Sequence, residues 1–249
     1  MKLLNKTVLI TGGSSGIGLE LSQQLLRRNN KVIICGRSKQ KLLEAQKQLP
    51  ELKIFQCDLS DKNQTADLAD WIKEKHPELD VLINNAAIVH KTSFIEEENI
   101  LEKVEQEIET NFLAPIRLIK LLYPILNKLN TSAIINITTG LIYAPRADYP
   151  FYNATKAALH SFTQTLRMQL NMTNIEVIEV MFPAVKTPWH KGNPPKIAIS
   201  SQKAVVDMIQ GLDKNKSEIR IARVKLLYTI SRIAPKFALK KINSLREEN

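Results

Sequence analysis

Sulfur, glycine and aromatic rings are all scarce in this sequence, and acidic charge falls short of basic. Cys35 and Cys57 are the only cysteines, so no disulfide framework can substitute for a core. Both close apolar runs, which reads as two buried free thiols in a reducing compartment. No apolar stretch approaches the roughly 18 residues that span a bilayer. Met1–Lys6 leads straight into a strand-like run without the apolar segment of a secretory signal. These absences predict an intracellular, cytoplasmic protein. No internal repeat, low-complexity segment or linker interrupts the chain, and no metal site is expected. With 249 residues, 44% of them hydrophobic, there is enough apolar material for one sizeable core.

Short apolar runs rich in Val or Ile alternate with longer amphipathic stretches. Thr7–Thr11, Lys31–Cys35, Leu52–Cys57, Val81–Asn84, Ala133–Thr138 and Ile175–Met181 suit strands buried on both faces of a parallel sheet, with a weaker run at Glu218–Ile221. Helices are expected over Ile17–Arg28, Lys39–Leu49, Asp61–Lys75, Glu102–Leu129 (containing Pro115) and Tyr152–Leu170. Regular alternation of this kind predicts an α/β fold: a doubly wound parallel sheet (Rossmann fold) in a single domain spanning 1–249, with helices on both faces.

The first strand runs into Thr11-Gly12-Gly13-Ser14-Ser15-Gly16-Ile17-Gly18, and a helix follows at once. Gly12 allows a sharp turn, Gly16 removes a side chain where a cofactor backbone must approach, and Gly18 lets helix and strand pack closely. The helix start then offers free N–H groups and partial positive charge to a pyrophosphate. An ordinary glycine-rich connector is the alternative, and the position between strand and helix argues against it. The second strand ends in Gly36-Arg37-Ser38, with no acidic residue to bind the ribose hydroxyls of NAD. Arg37, helped by Ser38 and Lys39, can instead pair with a 2′-phosphate, unless it is simply a surface arginine. NADP(H) is therefore the preferred cofactor, with NAD(H) also possible. After the third strand, Asp58 and Leu59 stand where an adenine would lie. Asp58 can accept from the adenine amino group or cap the next helix.

Tyr152 and Lys156 are four residues apart and share a helix face. An ammonium beside a phenol favours phenolate and would lower the tyrosine pKa, giving a group able to exchange a proton with a carbonyl or alcohol. Such a pair also arises by chance. Its context is what singles it out. Thr139, thirteen residues upstream, ends a strand with a hydroxyl, and Asn84-Asn85-Ala86-Ala87 ends another at the same sheet edge. Asn111 lies in a locally apolar helix, where a buried hydrogen-bonded core role is the alternative.

Together these motifs resemble the short-chain dehydrogenase/reductase superfamily over residues 5–190. Thr11–Gly18 is similar to its T-G-x-x-x-G-x-G turn, Asn84–Ala87 to N-N-A-G with Ala87 in place of glycine, and Tyr152/Lys156 to Y-x-x-x-K. Within that superfamily, Ile33–Ser38, Ala154–Phe162 and Glu176–Glu179 are similar to a bacterial oxidoreductase subgroup. The resemblance implies a nicotinamide-dependent oxidoreductase acting on a small carbonyl or alcohol. It casts Tyr152 as general acid/base and Lys156 as its activator and ribose ligand. Thr139 takes the place of the usual serine and holds the substrate oxygen. Asn111 would order a water toward Lys156. Asn85, Ala86, Ala87, Val185 and Thr187 would join Ser14, Ser15 and Ile17 around the cofactor. Thr139 adds a methyl to the expected hydroxyl, and Phe182-Pro183 replaces Pro-Gly. A homodimer or homotetramer is also implied.

A loop over 188–200 is expected to cover the substrate, with Trp189 and Ile142 giving a partly apolar pocket and Tyr143, Tyr149 and His190 nearby. The tail is basic: residues 214–249 hold ten Lys/Arg against three Glu, a surplus of seven within a net charge of +10. Residues 222–246 read as two helices broken at Pro235. Leu226, Ile230, Ile233 and Phe237 form one stripe and Leu239, Ile242 and Leu245 another. Docking on the core or a second subunit fits this pattern best. Peripheral contact with an anionic membrane is a further option, and nucleic acid is not expected for want of a binding module. The competing class is a cofactor-binding protein with weak or lost catalysis that acts through interaction.

Overall fold

The computed structural model describes residues 1–190 and 192–244; Lys191, Leu245 and Arg246, read above as parts of the loop and tail, lie outside them. Seven strands form one parallel sheet. β1 (Thr7–Thr11) lies inside it, flanked by β2 (Lys31–Gly36) and β3 (Lys53–Gln56) on one side. On the other side lie β4 (Val81–Asn84), β5 (Ser132–Thr139) and β6 (Ile175–Phe182). The far edge strand is Glu218–Arg220, which pairs with β6 at Val180↔Ile219. The strand order reverses between β1 and β4, which run parallel, and α/β sheets bind ligands at that crevice.

Alternate side chains of each strand face opposite layers. Val8 and Ile10 of β1 pack with α1 (Gly16–Leu26) and α2 (Lys39–Gln48) through Leu21, Leu25 and Leu42. Leu9, between them, faces α3 (Lys62–Lys75) through Leu68 and Ile72. Both layers are therefore dry, as the uninterrupted Val/Ile strands require.

The expected long helix at 102–129 is three pieces. α4 (Ile100–Ile108) passes through a π-helical turn at Glu109–Leu113 into α5 (Ala114–Leu126). Pro115 sits in the first turn of α5, where a missing N–H costs nothing extra. α6 (Pro150–Gln169) follows the fifth strand. Two short strands, β7 (Val185–Lys186) and β8 (Ile199–Ser200), pair with each other and pin both ends of the loop between them. The next helix, α7 (Ser201–Asp213), was not anticipated. It is capped by Ser200, which accepts from Lys203 N at 3.1 Å, and it packs Ala204, Val205, Met208 and Leu212 into the α1 layer. The edge strand is then β9 (Glu218–Arg220), followed by α8 (Val224–Ile233) and α9 (Pro235–Ser244), broken at Pro235 as expected.

The tail departs from expectation in its packing. Val224 and Ala238 are buried, whereas Leu226 is 60%, Ile233 79% and Phe237 59% exposed. The predicted stripe is thus not docked on the core. Among the described residues, no helix is long and apolar enough to cross a membrane.

Candidate active site

A cavity of about 770 Å³ opens along the carboxyl ends of the strands. Gly12 and Gly18 set its floor. Gly12 has φ +65° and donates its N–H to Cys35 O at 2.9 Å; a Cβ there would lie 3.0 Å from Ala86 Cα. A Cβ on Gly18 would stand 2.3 Å from Gly12 O, so the turn and helix can close only on glycine. Thr11 fastens the opposite wall. Its Oγ1 accepts from Asn85 N at 2.9 Å and Ala86 N at 3.0 Å, while Asn85 Nδ2 donates to Thr11 O at 2.9 Å. Ala87 is not among the residues with positive φ, which is why alanine replaces glycine there without strain.

The start of α1 is built for an anion. Ser15 at its N-cap makes no side-chain hydrogen bond to the first turn. The next two helices are capped in the ordinary way: Ser38 accepts from Lys41 N at 3.3 Å, and Asp61 from Asn63 N at 2.8 Å. The first-turn N–H groups of α1, beside Ser14, Ser15, Gly16 and Ile17, are thus left for a ligand. A dinucleotide pyrophosphate fits this cradle.

Arg37 is exposed at the cavity rim with Ser38 and Lys41. Gln56 Nε2 donates to Arg37 O at 3.1 Å, which fixes its backbone and leaves the guanidinium outward. Ser38 therefore divides its hydroxyl between capping α2 and any phosphate. Asp58 and Leu59 line the same end. Of the two roles open to Asp58, capping falls away. Asp61 caps α3, while Asp58 Oδ1 accepts from Ser60 N and Oγ at 3.0 and 2.7 Å. Val185 and Thr187 close the cavity over Gly16, with Thr187 Cβ 3.3 Å from where a Gly16 Cβ would stand.

At the other end, Thr139 and Tyr152 line the cavity together; the Thr139 hydroxyl donates to Phe182 O at 3.4 Å, caps the helical turn Gly140–Ile142 through Leu141 N at 3.3 Å, and acts to lower the pKa of the Tyr152 phenol. Lys156 is 2% exposed and donates to Ile137 O at 2.8 Å. Burial pulls its pKa down to about 8, opposed by the carboxylates of Glu179 and Glu107. The expected depression of the tyrosine pKa does not appear. Burial pushes the phenol up to about 12, the Thr139 hydroxyl works against this, and Glu107 adds to it. The reason is geometric: the Lys156 ammonium is committed to a backbone carbonyl, 5.9 Å from the centroid of the Tyr152 ring.

The two carboxylates were not singled out from sequence. Glu179, fully buried on β6, accepts from Thr138 Oγ1 at 2.5 Å and contacts His160 Nδ1 at 2.8 Å. Glu107, also fully buried, accepts from His90 N at 2.7 Å and contacts His90 Nδ1 at 3.0 Å. Burial raises its pKa, with His90 opposing. A glutamate placed within the apolar strand Ile175–Phe182 is the one signal that could have revealed Glu179.

Asn111 is not a cavity wall. In the π-turn, its Oδ1 accepts from Ile88 N at 2.8 Å and its Nδ2 donates to Ile88 O at 2.8 Å. These two bonds tie the loop after β4 to the π-turn, the structural role weighed above, and they engage only the side chain of Asn111. Two pocket expectations also shift. Leu141, not Ile142, lines the cavity, and Tyr143 turns away to accept from Arg220 Nε at 3.0 Å. Tyr149 and Trp189 do line it, with ring centroids 5.7 Å apart, and His190 lies beside Trp189.

The chain matches the family model of short chain dehydrogenases over residues 6–198. It belongs to that family of NAD(P)-dependent oxidoreductases. It is 46% identical over 237 residues to the uncharacterized oxidoreductase DltE of Bacillus subtilis, covering 93% of this chain and 94% of that one. Its fold is similar to a short-chain dehydrogenase of Sphingobium yanoikuyae in complex with NADPH, at 25% identity and a TM-score of 0.81, covering 98% and 99% of the two chains. It is also similar to a short chain dehydrogenase of Burkholderia cenocepacia in complex with NADP, at 22% identity and a TM-score of 0.85, covering 97% and 99%.

Proposed function

We propose that the chain is an NADP(H)-linked carbonyl reductase or alcohol dehydrogenase in which Tyr152 exchanges the substrate proton. The observation that carries this reading is the convergence of Thr139, Tyr152 and a buried Lys156 at the inner end of a cavity whose other end is the uncapped helix α1.

When bound, the nicotinamide supplies or accepts the hydride; the protein supplies position and electrostatics. A phenol with its pKa near 12 is fully protonated at neutral pH, so it is ready to act as the acid. In the reductive direction Tyr152 Oη gives its proton to the substrate oxygen as negative charge develops there. Thr139 Oγ orients that oxygen. Lys156 places a positive charge behind the phenol to stabilise the phenolate left by proton transfer, and its ammonium lies within the same cavity as the cofactor turn. Arg37 favours a 2′-phosphate, supported by the absence of any acidic side chain at the end of β2 and by the NADP and NADPH held by similar structures. Buried free thiols at Cys35 and Cys57 support a cytoplasmic setting.

The test is a panel of aldehydes and ketones with NADPH and NADH. Oxidation of NADPH by at least one carbonyl, faster than of NADH, is expected. Tight NADPH binding with no turnover across the panel would support the interaction reading instead.

A further inference from the structure

The cavity does not end at Tyr152. Its lining also includes an apolar group, the outer chamber: Leu141, Trp189, Leu226, Leu227, Ile230 and Phe237. This chamber is built from the part of the tail that fails to dock. Leu226 and Phe237 stand at its mouth, more than half exposed, and contiguous apolar surface left open next to a cavity marks a ligand groove.

Its charge is equally one-sided. Among the described residues, Asp58, at the β3 end, is the only carboxylate side chain that lines the cavity, whereas Arg223 and Lys241 line it beside the C-terminal helices. Neither cation pairs with an acidic side chain among the described residues. Arg146 lines it too, but is held by Asp148 at 3.1 Å. An apolar wall with two uncommitted cations, opening onto a proton donor, selects for an amphipathic ligand.

We propose that the substrate is an aliphatic aldehyde or ketone with an anionic group at its far end. Its carbonyl meets Tyr152, its hydrocarbon body fills the chamber between Trp189 and the two C-terminal helices, and its carboxylate or phosphate meets Arg223 and Lys241. The inference rests on the reading of Tyr152 given above.

Binding of simple fatty acids tests it without requiring turnover, so an inactive chain still returns an answer. Laurate, butyrate and dodecanol are titrated into the full chain in the presence of NADP⁺, following calorimetric heat and the fluorescence of Trp189 on the chamber wall. Each buried methylene should tighten binding about three- to fourfold, so laurate should bind more than a hundredfold tighter than butyrate. Laurate should also bind several-fold tighter than dodecanol. Arg223→Ala with Lys241→Ala should erase that second difference and leave dodecanol unchanged. Leu226→Asp, at the exposed mouth where folding is not at stake, should weaken both ligands at least tenfold while NADP⁺ affinity is kept. Equal binding of laurate and butyrate, or of laurate and dodecanol, would overturn the proposal. Loss of carbonyl turnover with laurate binding intact would instead count against the role of Tyr152 alone.

Discussion

Lys156 and Ile137 are joined by a 2.8 Å hydrogen bond from the ammonium to a carbonyl oxygen inside β5. The bond fixes a cation in the interior of the sheet edge, behind the Tyr152 ring rather than against its hydroxyl. Burial of that cation, against the opposing pull of Glu179 and Glu107, lowers the lysine pKa to about 8 from an ordinary 10.5.

That fall makes stability depend on pH. Between about pH 8 and 10.5 the unfolded chain holds a proton on Lys156 that the folded chain has released, so this residue's contribution to stability rises with pH across the window. Below about pH 8 the folded state carries the full burden of a buried charge. Lys156→Met removes it. The variant should lose activity, and its stability relative to the parent should be greatest near pH 7 and decline by on the order of 2–3 kcal/mol by pH 10.5. Denaturant titrations at a series of pH values measure this; a pH-independent difference would show that Lys156 is not perturbed.

Glu107 and Glu179 both favour the charged form of Lys156, and Glu107 also raises the Tyr152 pKa. Glu107→Gln should therefore lower both, and move the alkaline limb of kcat/KM to lower pH. An unmoved limb would place the carboxylate outside the proton chemistry.

Cofactor choice is assigned to Arg37, whose guanidinium points outward at the rim. Arg37→Ala should cut the NADPH-over-NADH preference by about ten- to a hundredfold, the worth of one charge-assisted hydrogen bond. Comparative Kd measurements decide it, and an unchanged ratio would move the assignment to another cation such as Lys41.

The turn has a steric prediction with a built-in control. Gly18→Ala puts a methyl 2.3 Å from Gly12 O, whereas Gly36→Ala makes only ordinary contacts, with Ser14 Oγ at 3.4 Å and Leu42 Cδ2 at 3.9 Å. The first should cost several kcal/mol of stability and most cofactor affinity, the second less than about 1 kcal/mol. Thermal shift with and without NADPH separates them.

What the sequence disclosed was whatever depends on neighbours along the chain. The Val/Ile runs, the glycine spacing and the Tyr152–Lys156 interval are local patterns, and each lands where expected. The partner of Asn111 was not legible because Ile88 is 23 residues away. The choice between the two roles of Asp58 turned on where helix α3 begins, with Asp61 as its cap, and that start is not fixed by composition. Glu179 becomes a neighbour of Thr138 only through the β5–β6 register. The tyrosine pKa followed from where the lysine ammonium goes, and that is settled by a carbonyl on another strand. Helix α7 was missed although its signal was there: Ala204, Val205, Met208, Ile209 and Leu212 repeat at helical spacing behind Ser200. The stripe on α8 was read correctly as apolar, but amphipathicity does not say what covers it.

The most direct test of the account compares Tyr152→Phe with the parent for both NADPH affinity and carbonyl-dependent NADPH oxidation. Loss of one hydroxyl should lower kcat by about 10²–10⁴-fold and leave the Kd for NADPH within about threefold. A variant that turns over as fast as the parent, with the same cofactor affinity, would contradict the assignment of the substrate proton to Tyr152.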